Sequence, residues 1–381
     1  MRWRRDPLVL VLVVCLVAAT CPVAAQTTAQ FPVQFDFLNP GARSLAMGGA
    51  FVGAADDATA AFTNPAGLAF IARLEVSVEG RYWTLDTPFL AGGRISGAAT
   101  GTGLDTTGSP VYLVDRDEQL RPTFLSVMFP VGPKSTITAF RHELTSVENA
   151  FFSQGVFSRG SFGGITDDAS REIPIGGTRS ARIVNYGASM GFRLTDRIAI
   201  GGSVALSRLR LDAGFTRFGF ETSIFSPADT TITRATATQA SDDSSMGGSV
   251  GALYRVRERL SVGVTYRRGP RFRFTQRDEI VITGARLDRT GRFKVPDVVG
   301  AGVSWLAVDR TSGRLAVLLD YDRVAHSQLK RDFVTFQSIA SGRAAQLRID
   351  DANEVHVGSE FQLLQFRGKD LPHPVAVRAG A

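Results

Sequence analysis

Cysteine is almost missing from this chain of 381 residues, which holds two, Cys15 and Cys21. Both fall in the opening "MRWRRDPLVLVLVVCLVAATCPVAA", where arginines precede a short apolar run and Val23-Ala24-Ala25 offers a small-residue cleavage site. That pattern predicts a secretory signal peptide over residues 1–25. Its removal leaves no thiol, which excludes a disulfide framework, a thiolate metal centre and a cysteine nucleophile. Ala19-Thr20-Cys21-Pro22 is a poor context for lipid attachment.

Long hydrophobic runs are also lacking. The signal run covers roughly a dozen residues, short of the ~20 that a retained membrane helix needs, and no later run approaches ~18. Nor is one sign of charge concentrated: the formal +7 falls to about +5 without the signal segment, and the arginines are scattered among acids with no basic aromatic stripe. Nucleic acid is therefore not an expected partner. Histidines are four and far apart, His142, His326, His356 and His373. "TDDAS" (Thr166 to Ser170) and "SDDSS" (Ser241 to Ser245) lack the spaced oxygen ligands of a calcium loop. "GTGLDTTG" (Gly101 to Gly108) lacks the strand and helix of a nucleotide site. No metal and no cofactor are expected.

What the chain does have is glycine, 39 of them, and alternation. In "VNYGASMGFRL", Val184, Tyr186, Ala188, Met190, Phe192 and Leu194 share one side, and Asn185, Gly187, Ser189, Gly191 and Arg193 the other. "RLSVGVTYRR", "LEVSVEGRYW" and "IAIGGSVALS" sort the same way, as strands with one face in oil and the other in a polar or tightly packed interior. Short polar turns at 130–135, 194–197, 255–259, 308–313 and 366–370 alternate with long loops near 86–118, 149–180, 213–244, 275–294 and 327–351. This is the asymmetry of outer-membrane barrels, with periplasmic turns at one end and longer external loops at the other. Eleven strands can be placed, near 73–85, 119–130, 134–148, 181–194, 197–212, 245–256, 259–274, 295–307, 313–326, 352–365 and from about 372. Bacterial single-chain barrels have even counts, so the odd number suggests that the barrel assigned to 73–381 is C-terminally incomplete. One missed strand is the alternative.

Residues 26–72 do not alternate. "GARSLAMGGAFVGAADDATAAFTNPAGLAF" is small, apolar and rich in glycine, which lets backbones pack closely. Asp57 is the expected N-cap of a helical turn from Ala58 to Thr63. Pro65 biases Asn64 away from the α region, ending that turn, and then takes the first position of a second turn capped by Asn64. The expected product is a kinked plug in a barrel lumen. For Asp56 and Asp57, anchoring to barrel arginines and plain helix capping both stand as readings.

The order Asp56-Asp57-Ala58, a gap, then Asn64-Pro65-Ala66 ahead of the first strand resembles the hatch of the FadL/TodX family of outer-membrane transporters for hydrophobic compounds. "VPDVVGAGVSWLAV", "RLAVLLDYDRVAHSQL" and "EVHVGSEFQLL" are similar to that family's C-terminal half. The resemblance implies an all-β fold, a transmembrane antiparallel barrel of 14 strands in the outer membrane of a Gram-negative-type bacterium. It also implies a monomer among membrane lipids, closed by an N-terminal hatch around Asp56, Asp57, Asn64, Pro65 and Ala66. Its function would be passive uptake of hydrophobic small molecules such as long-chain fatty acids, captured by external loops and released sideways through a gap in the wall. The same N-terminal pattern also resembles PorV-like barrels, which hold secreted protein cargo.

Two phenylalanine clusters bear on a ligand independently. Phe151, Phe152, Phe157 and Phe162 lie in one long loop, and Phe215, Phe218, Phe220 and Phe225 in another. Exposed clusters of this kind suggest an apolar capture patch. Strand extensions or an aromatic girdle explain them equally well. Two matches to the serine-hydrolase elbow, Gly187 to Gly191 and Gly247 to Gly251, lie inside alternating strands rather than at a strand-to-helix turn, so no catalytic residue and no enzyme activity are expected.

Overall fold

A computed structural model describes residue 37 and residues 39–101, 103–162, 165–172, 175–220, 231–281, 283–331, 350–366 and 369–381. The signal segment 1–25 lies outside the described residues. The chain opens with two short helices, α1 (Ala42–Ala46) and α2 (Ala60–Thr63), and a 3-10 helix, Pro65–Phe70. Fifteen strands follow: β1 (Glu75–Gly93), β2 (Pro110–Pro130), β3 (Ser135–Ser153), β4 (Val156–Phe162), β5 (Ile165–Glu172), β6 (Ile175–Arg193), β7 (Ile198–Phe220) and β8 (Thr231–Arg257), then β9 (Leu260–Arg268), β10 (Arg271–Ile280), β11 (Ala285–Lys294), β12 (Val298–Arg310), β13 (Gly313–Val324), β14 (Ala352–Phe366) and β15 (Lys369–Gly380).

Eleven of them form one antiparallel path, β1-β2-β3-β6-β7-β8-β9-β12-β13-β14-β15. These are the eleven that alternation locates. Among the described residues, four of the five segments read as long loops, all but 327–351, hold much strand. β7 and β8 stay paired from Ile198 with Tyr254 out to Phe220 with Thr231, and 275–294 holds most of the β10–β11 hairpin. β10 also pairs with β8 at residues 235–240, so β9 and β10 act as one strand kinked at Gly269-Pro270. The kink follows from the missing N–H and fixed φ of proline. Alternation continues through "RFRFTQ", whose Phe272, Phe274 and Gln276 are buried while the arginines are exposed. β4 and β5 form a separate hairpin inside 149–180.

The outward residues Val76, Val78, Tyr186, Val204, Leu206, Met246, Val250 and Val264 are apolar and exposed, as a lipid-facing wall requires. Inner faces of β1, β3, β6, β8, β9, β13 and β14 all hydrogen-bond the one N-terminal segment, through Glu79, Thr136, Ser189, Ala252, Ser261, Asp320 and Glu360. A sheet that meets a single compact segment from so many strands is curled around it. The inward Gly and Ser positions leave the room for that segment.

Candidate functional site

The lumen has two levels. At the short-turn end the hatch fills it. Asn64 is fully buried, has extended backbone geometry and accepts the Ala66 amide at 3.3 Å, starting the 3-10 helix with Pro65 at its first position. Its side-chain amide donates to the carbonyls of Val52 at 3.1 Å and Ala252 of β8 at 3.2 Å, tying hatch to hatch and hatch to wall. Asp57 differs from expectation: the helix is only Ala60–Thr63, with Thr59 at its N-cap. The Asp57 carboxylate accepts the Thr59 amide at 2.9 Å and its hydroxyl at 2.5 Å, closing a turn one step earlier. Burial pushes the Asp57 carboxyl up, against the opposing pull of Thr59 and Arg43.

Among the described residues the acid pair makes its ion pairs within the hatch rather than with a barrel arginine. Its partner is Arg43, in the hatch itself, which reaches Asp56 at 2.5 Å and Asp57 at 3.5 Å. Arg43 also donates two bonds, 3.0 and 2.9 Å, to Glu360 of β14, itself held by Arg378 of β15. The neighbouring Ala42 amide donates to Glu79 of β1 at 2.6 Å, so adjacent residues of α1 hold β1 on one side and β14 on the other. Acids on the wall thus accept from donors on the hatch, while the wall cation Arg267 donates to the Phe37 carbonyl at 3.3 Å. Asp320 of β13 continues the pattern, accepting the Phe51 amide at 2.5 Å and the Val52 amide at 2.6 Å. Charge-assisted bonds of this kind are the stronger class.

Small wall residues serve the hatch in two ways. Hydroxyls of Thr136, Ser189 and Ser261 donate to the carbonyls of Ile71, Ala61 and Gly53 at 2.9, 2.6 and 2.7 Å. Glycines admit the backbone itself. Gly191, Gly201 and Gly251 are direct cross-strand partners on β6, β7 and β8. A Cβ added at Gly201 would lie 2.3 Å from the Pro65 carbonyl carbon, and one at Gly251 would lie 2.1 Å from Asn64 Oδ1. Gly302, Gly358 and Gly380 meet Gly53, Met47 and Gly48 as closely. The alternation places Gly191, Gly201 and Gly251 on a tightly packed face without assigning them to the Asn64-Pro65-Ala66 segment. Their recurrence at the inward phase of successive strands was the available signal. The elbow matches resolve here too, since Ser189 holds a hatch carbonyl and Ser249 shares a hydrogen bond with Ser203 at 2.7 Å. His356 likewise donates to the Gly48 carbonyl at 2.8 Å, and His142 is buried with its ring centre 4.1 Å from that of Phe62.

Above the hatch the lumen turns apolar. Leu144, Ile183, Leu209, Phe272, Phe274, Phe293 and Val295 form one buried cluster, and the hatch's Phe62 packs against its floor. Three of these are aromatic residues of β10 and β11 outside the sequence-based ligand site: Phe272 and Phe274 fall in the strand expected at 259–274, and Phe293 in the segment expected as loop at 275–294.

Beside this cluster the wall is incompletely paired. β2 and β3 are hydrogen-bonded strand to strand only from Phe124 with His142 to Pro130 with Thr136. Beyond that, β2 stays on β1 as far as Pro110 and β3 stays on β6 as far as Ser153, but the two do not pair with each other. Side chains span the interval instead. Asp117 accepts the Glu148 amide at 3.2 Å, Asp115 the Ala150 amide at 2.9 Å, and Gln119 the Ser146 hydroxyl at 3.0 Å. A register shift at Leu144 lies at the start of the interval.

The structure divides the phenylalanine clusters. Phe151, Gly177 and Phe215 are cross-strand neighbours on one face, with Phe151 6.1 Å from Phe89. Phe152 and Phe218 meet at 5.5 Å on the other face, over Gly176. A single patch of Phe151, Phe152, Phe215 and Phe218 is therefore not formed, because adjacent strand residues point to opposite sides. The side chains of Phe162 and Phe220, residue 225 and the His373 side chain lie outside the described residues.

An antiparallel membrane wall around an N-terminal plug, with a buried apolar cluster above it, defines a plugged outer-membrane barrel. The profile of the outer membrane protein transport family (OMPP1/FadL/TodX) matches residues 20–363, and the chain belongs to that family, which moves hydrophobic compounds across the outer membrane. Among solved structures, it is similar to the Pseudomonas putida toluene transporter TodX, with a TM-score of 0.54 and 15% identity over 91% of this chain and 83% of that one. It is also similar to a Pseudomonas aeruginosa FadL homologue, with a TM-score of 0.52 and 14% identity over 89% and 79%. The CymD monoaromatic hydrocarbon channel aligns with a TM-score of 0.51 and 15% identity over 91% and 84%. A comparison with curated protein sequences returns no match.

Proposed function

We propose that this barrel passively takes up small hydrophobic molecules, long-chain fatty acids or monoaromatic compounds. They enter at the long-loop end, rest in the chamber of Leu209, Phe272, Phe274 and Phe293, and leave sideways between β2 and β3. The observation that carries this reading is the adjacency of a buried apolar cluster to the one unpaired interval in the described β2–β3 ladder. An apolar solute leaving there enters the membrane without crossing water, so its transfer stays favourable throughout. The hatch is the gate: Phe62 forms part of the chamber floor, so a displacement around Asn64, Pro65 and Ala66 reshapes the resting place. Asp56 and Asp57, through Arg43, set the closed position.

The test is uptake of labelled oleate and labelled toluene by transporter-deficient cells expressing the full chain. Its companion variants delete Asn64-Pro65-Ala66 or join β2 to β3 by a Gln119→Cys and Ser146→Cys disulfide. Uptake of at least one probe that reducing agent restores in the disulfide variant is expected. Equal uptake with the disulfide closed would remove the lateral route. Uptake unaffected by the deletion, in a barrel shown to be inserted, would remove the hatch as gate.

A further inference from the structure

The outer face of the wall changes character along each strand. On β7 the outward Ile198, Ile200, Val204 and Leu206 are apolar and exposed, and the next two outward positions are Arg208 and Arg210. On β6 the outward Phe192, Met190 and Tyr186 lead to Arg182, and along β9 and β10 Val264 and Tyr266 lead to Arg271 and Arg273. The apolar stretch of β7 is roughly nine residues, the length at which a tilted strand crosses the hydrocarbon. The arginines therefore stand at the border nearest the long loops, level with the headgroups of the outer leaflet.

Their arrangement is costly without a partner. Arg182 lies directly across from Arg210, Arg273 from Arg292, and Arg271 from Lys294. Like charges directly opposite destabilise a sheet. Acids offset only part of this. Glu143 accepts Arg182 at 2.6 Å and Arg141 at 3.1 Å, Asp242 accepts Arg208 at 2.8 Å, and Asp297 accepts Lys294 at 2.5 Å. Asp243 accepts the Arg273 backbone amide at 2.7 Å. Among the described residues the guanidiniums of Arg271, Arg273 and Arg292 make no hydrogen bond or ion pair, and that of Arg210 makes none either although Asp242 lies directly across from it on β8.

Three features then converge. Arg182, Arg208 and Arg210 line a recess of about 240 Å³ with Val184 and Tyr186. Arg271, Arg273 and Arg292 line a second, of about 330 Å³, with Asp243, Ser244 and Phe272. Tyr186 also lines an apolar groove of about 670 Å³ shared with Val78, Leu125, Val204, Leu206 and Met246. Guanidinium forks match phosphate oxygens in pairs.

We propose that this face is a binding site for a phosphorylated glycolipid of the outer leaflet. Its phosphate sits between Arg182 and Arg210, and its acyl chains lie in the groove below Tyr186. A free anion would satisfy the arginines but would leave the continuous apolar groove unused; a lipid carrying both parts satisfies both.

The experiment uses the full chain purified in detergent and measures binding of bis-phosphorylated lipid A, its dephosphorylated form, and inorganic phosphate. At least tenfold tighter binding of the phosphorylated lipid is expected, with that preference lost in R182Q/R210Q and partly kept in R182K/R210K. R314Q, at the short-turn end, is expected to bind as wild type. Equal binding of the two lipids to wild-type protein overturns the proposal and needs no variant to fold. Displacement of the lipid by inorganic phosphate at an equal concentration overturns it in favour of a simple anion site. A loss in R314Q as large as in R182Q/R210Q overturns it in favour of general charge attraction.

Discussion

The two levels of the lumen are built from opposite materials. The lower is glycine, serine, threonine and carboxylate, each meeting hatch backbone: Gly201 against Pro65, Ser189 under the Ala61 carbonyl, Asp320 on the Phe51 and Val52 amides. The upper is a cluster of Leu, Ile, Val and Phe, with Gln276 and Asp278 buried next to it along β10. A wall meant to hold a peptide segment offers hydrogen bonds and room for main chain. A wall of apolar side chains offers area without direction. The same strands do both, a few residues apart, so the division lies along each strand rather than between strands.

The comparison breaks most sharply at the glycine row. Gly201→Val keeps strand propensity but places carbon where Pro65 lies, and overpacking of this kind costs about 1–3 kcal/mol or more. The barrel should insert and the hatch should lose its seat. Limited proteolysis checks this: cleavage between residues 39 and 72 should appear in Gly201→Val and not in wild type. The equivalent change at Gly202, whose added Cβ would meet nothing nearer than 3.7 Å, should leave the hatch protected.

The upper level gives the second break. Phe272→Ser with Phe274→Ser removes two buried rings from the chamber, each worth about 1.5–3 kcal/mol of apolar contact. Uptake of oleate or toluene should fall tenfold or more, while the hatch stays resistant to protease. A variant that exposes the hatch instead would show that the two levels are one packed unit.

How much of this could be read beforehand differs between the levels for a physical reason. Period-two alternation is a local signal, so "VNYGASMGFRL" and "RLSVGVTYRR" announce strands and faces on their own. The break at Asn64-Pro65 is local too, because the restriction acts on the preceding residue. Which side chain the hatch meets is not local: Asn64 finds Ala252 and Arg43 finds Glu360, through a closure that no spacing encodes. The arginine expected on the wall was on the hatch for this reason. Phe293 is hidden differently, since Thr, Asp and Gly between 275 and 294 read as loop composition, whereas Phe272 and Phe274 fall in the strand expected at 259–274. Tertiary pairing of β10 with β8 and β11 overrode that composition.

The carboxylates of the lower level sharpen the contrast with a smaller effect. Asp320→Ala leaves the Phe51 and Val52 amides buried without an acceptor, a loss of about 1–3 kcal/mol each at most. Hydrogen exchange at those two amides should accelerate ten- to a hundredfold, with the chamber-lining Leu209 and Ile183 unchanged. Equal acceleration at both levels would mean that Asp320 stabilises the whole wall rather than the hatch contact.

The smallest effect lies above both levels, in the β1–β2 loop. Arg94 is buried and donates to Asp105 at 3.0 Å through Nε, with a second bond of 2.5 Å from Nη2, while Asp105 also accepts the Thr100 amide at 2.9 Å. The Ile95 amide donates to the Phe157 carbonyl at 2.9 Å, linking the loop to β4. Hydrogen bonds from Arg94 hold the Asp105 carboxyl down at about 2. A depressed acid contributes stability that is fully present above its unfolded value, about 3.9, and is lost as pH falls through its folded value. The loop should therefore keep its protease resistance at pH 5 and lose it between about pH 4 and 2. In Arg94→Gln the same cleavage should appear already at pH 7, with hatch protection unaltered. A loop that opens only together with the hatch would tie the external mouth to the plug, and the two ends of the lumen would then move as one device.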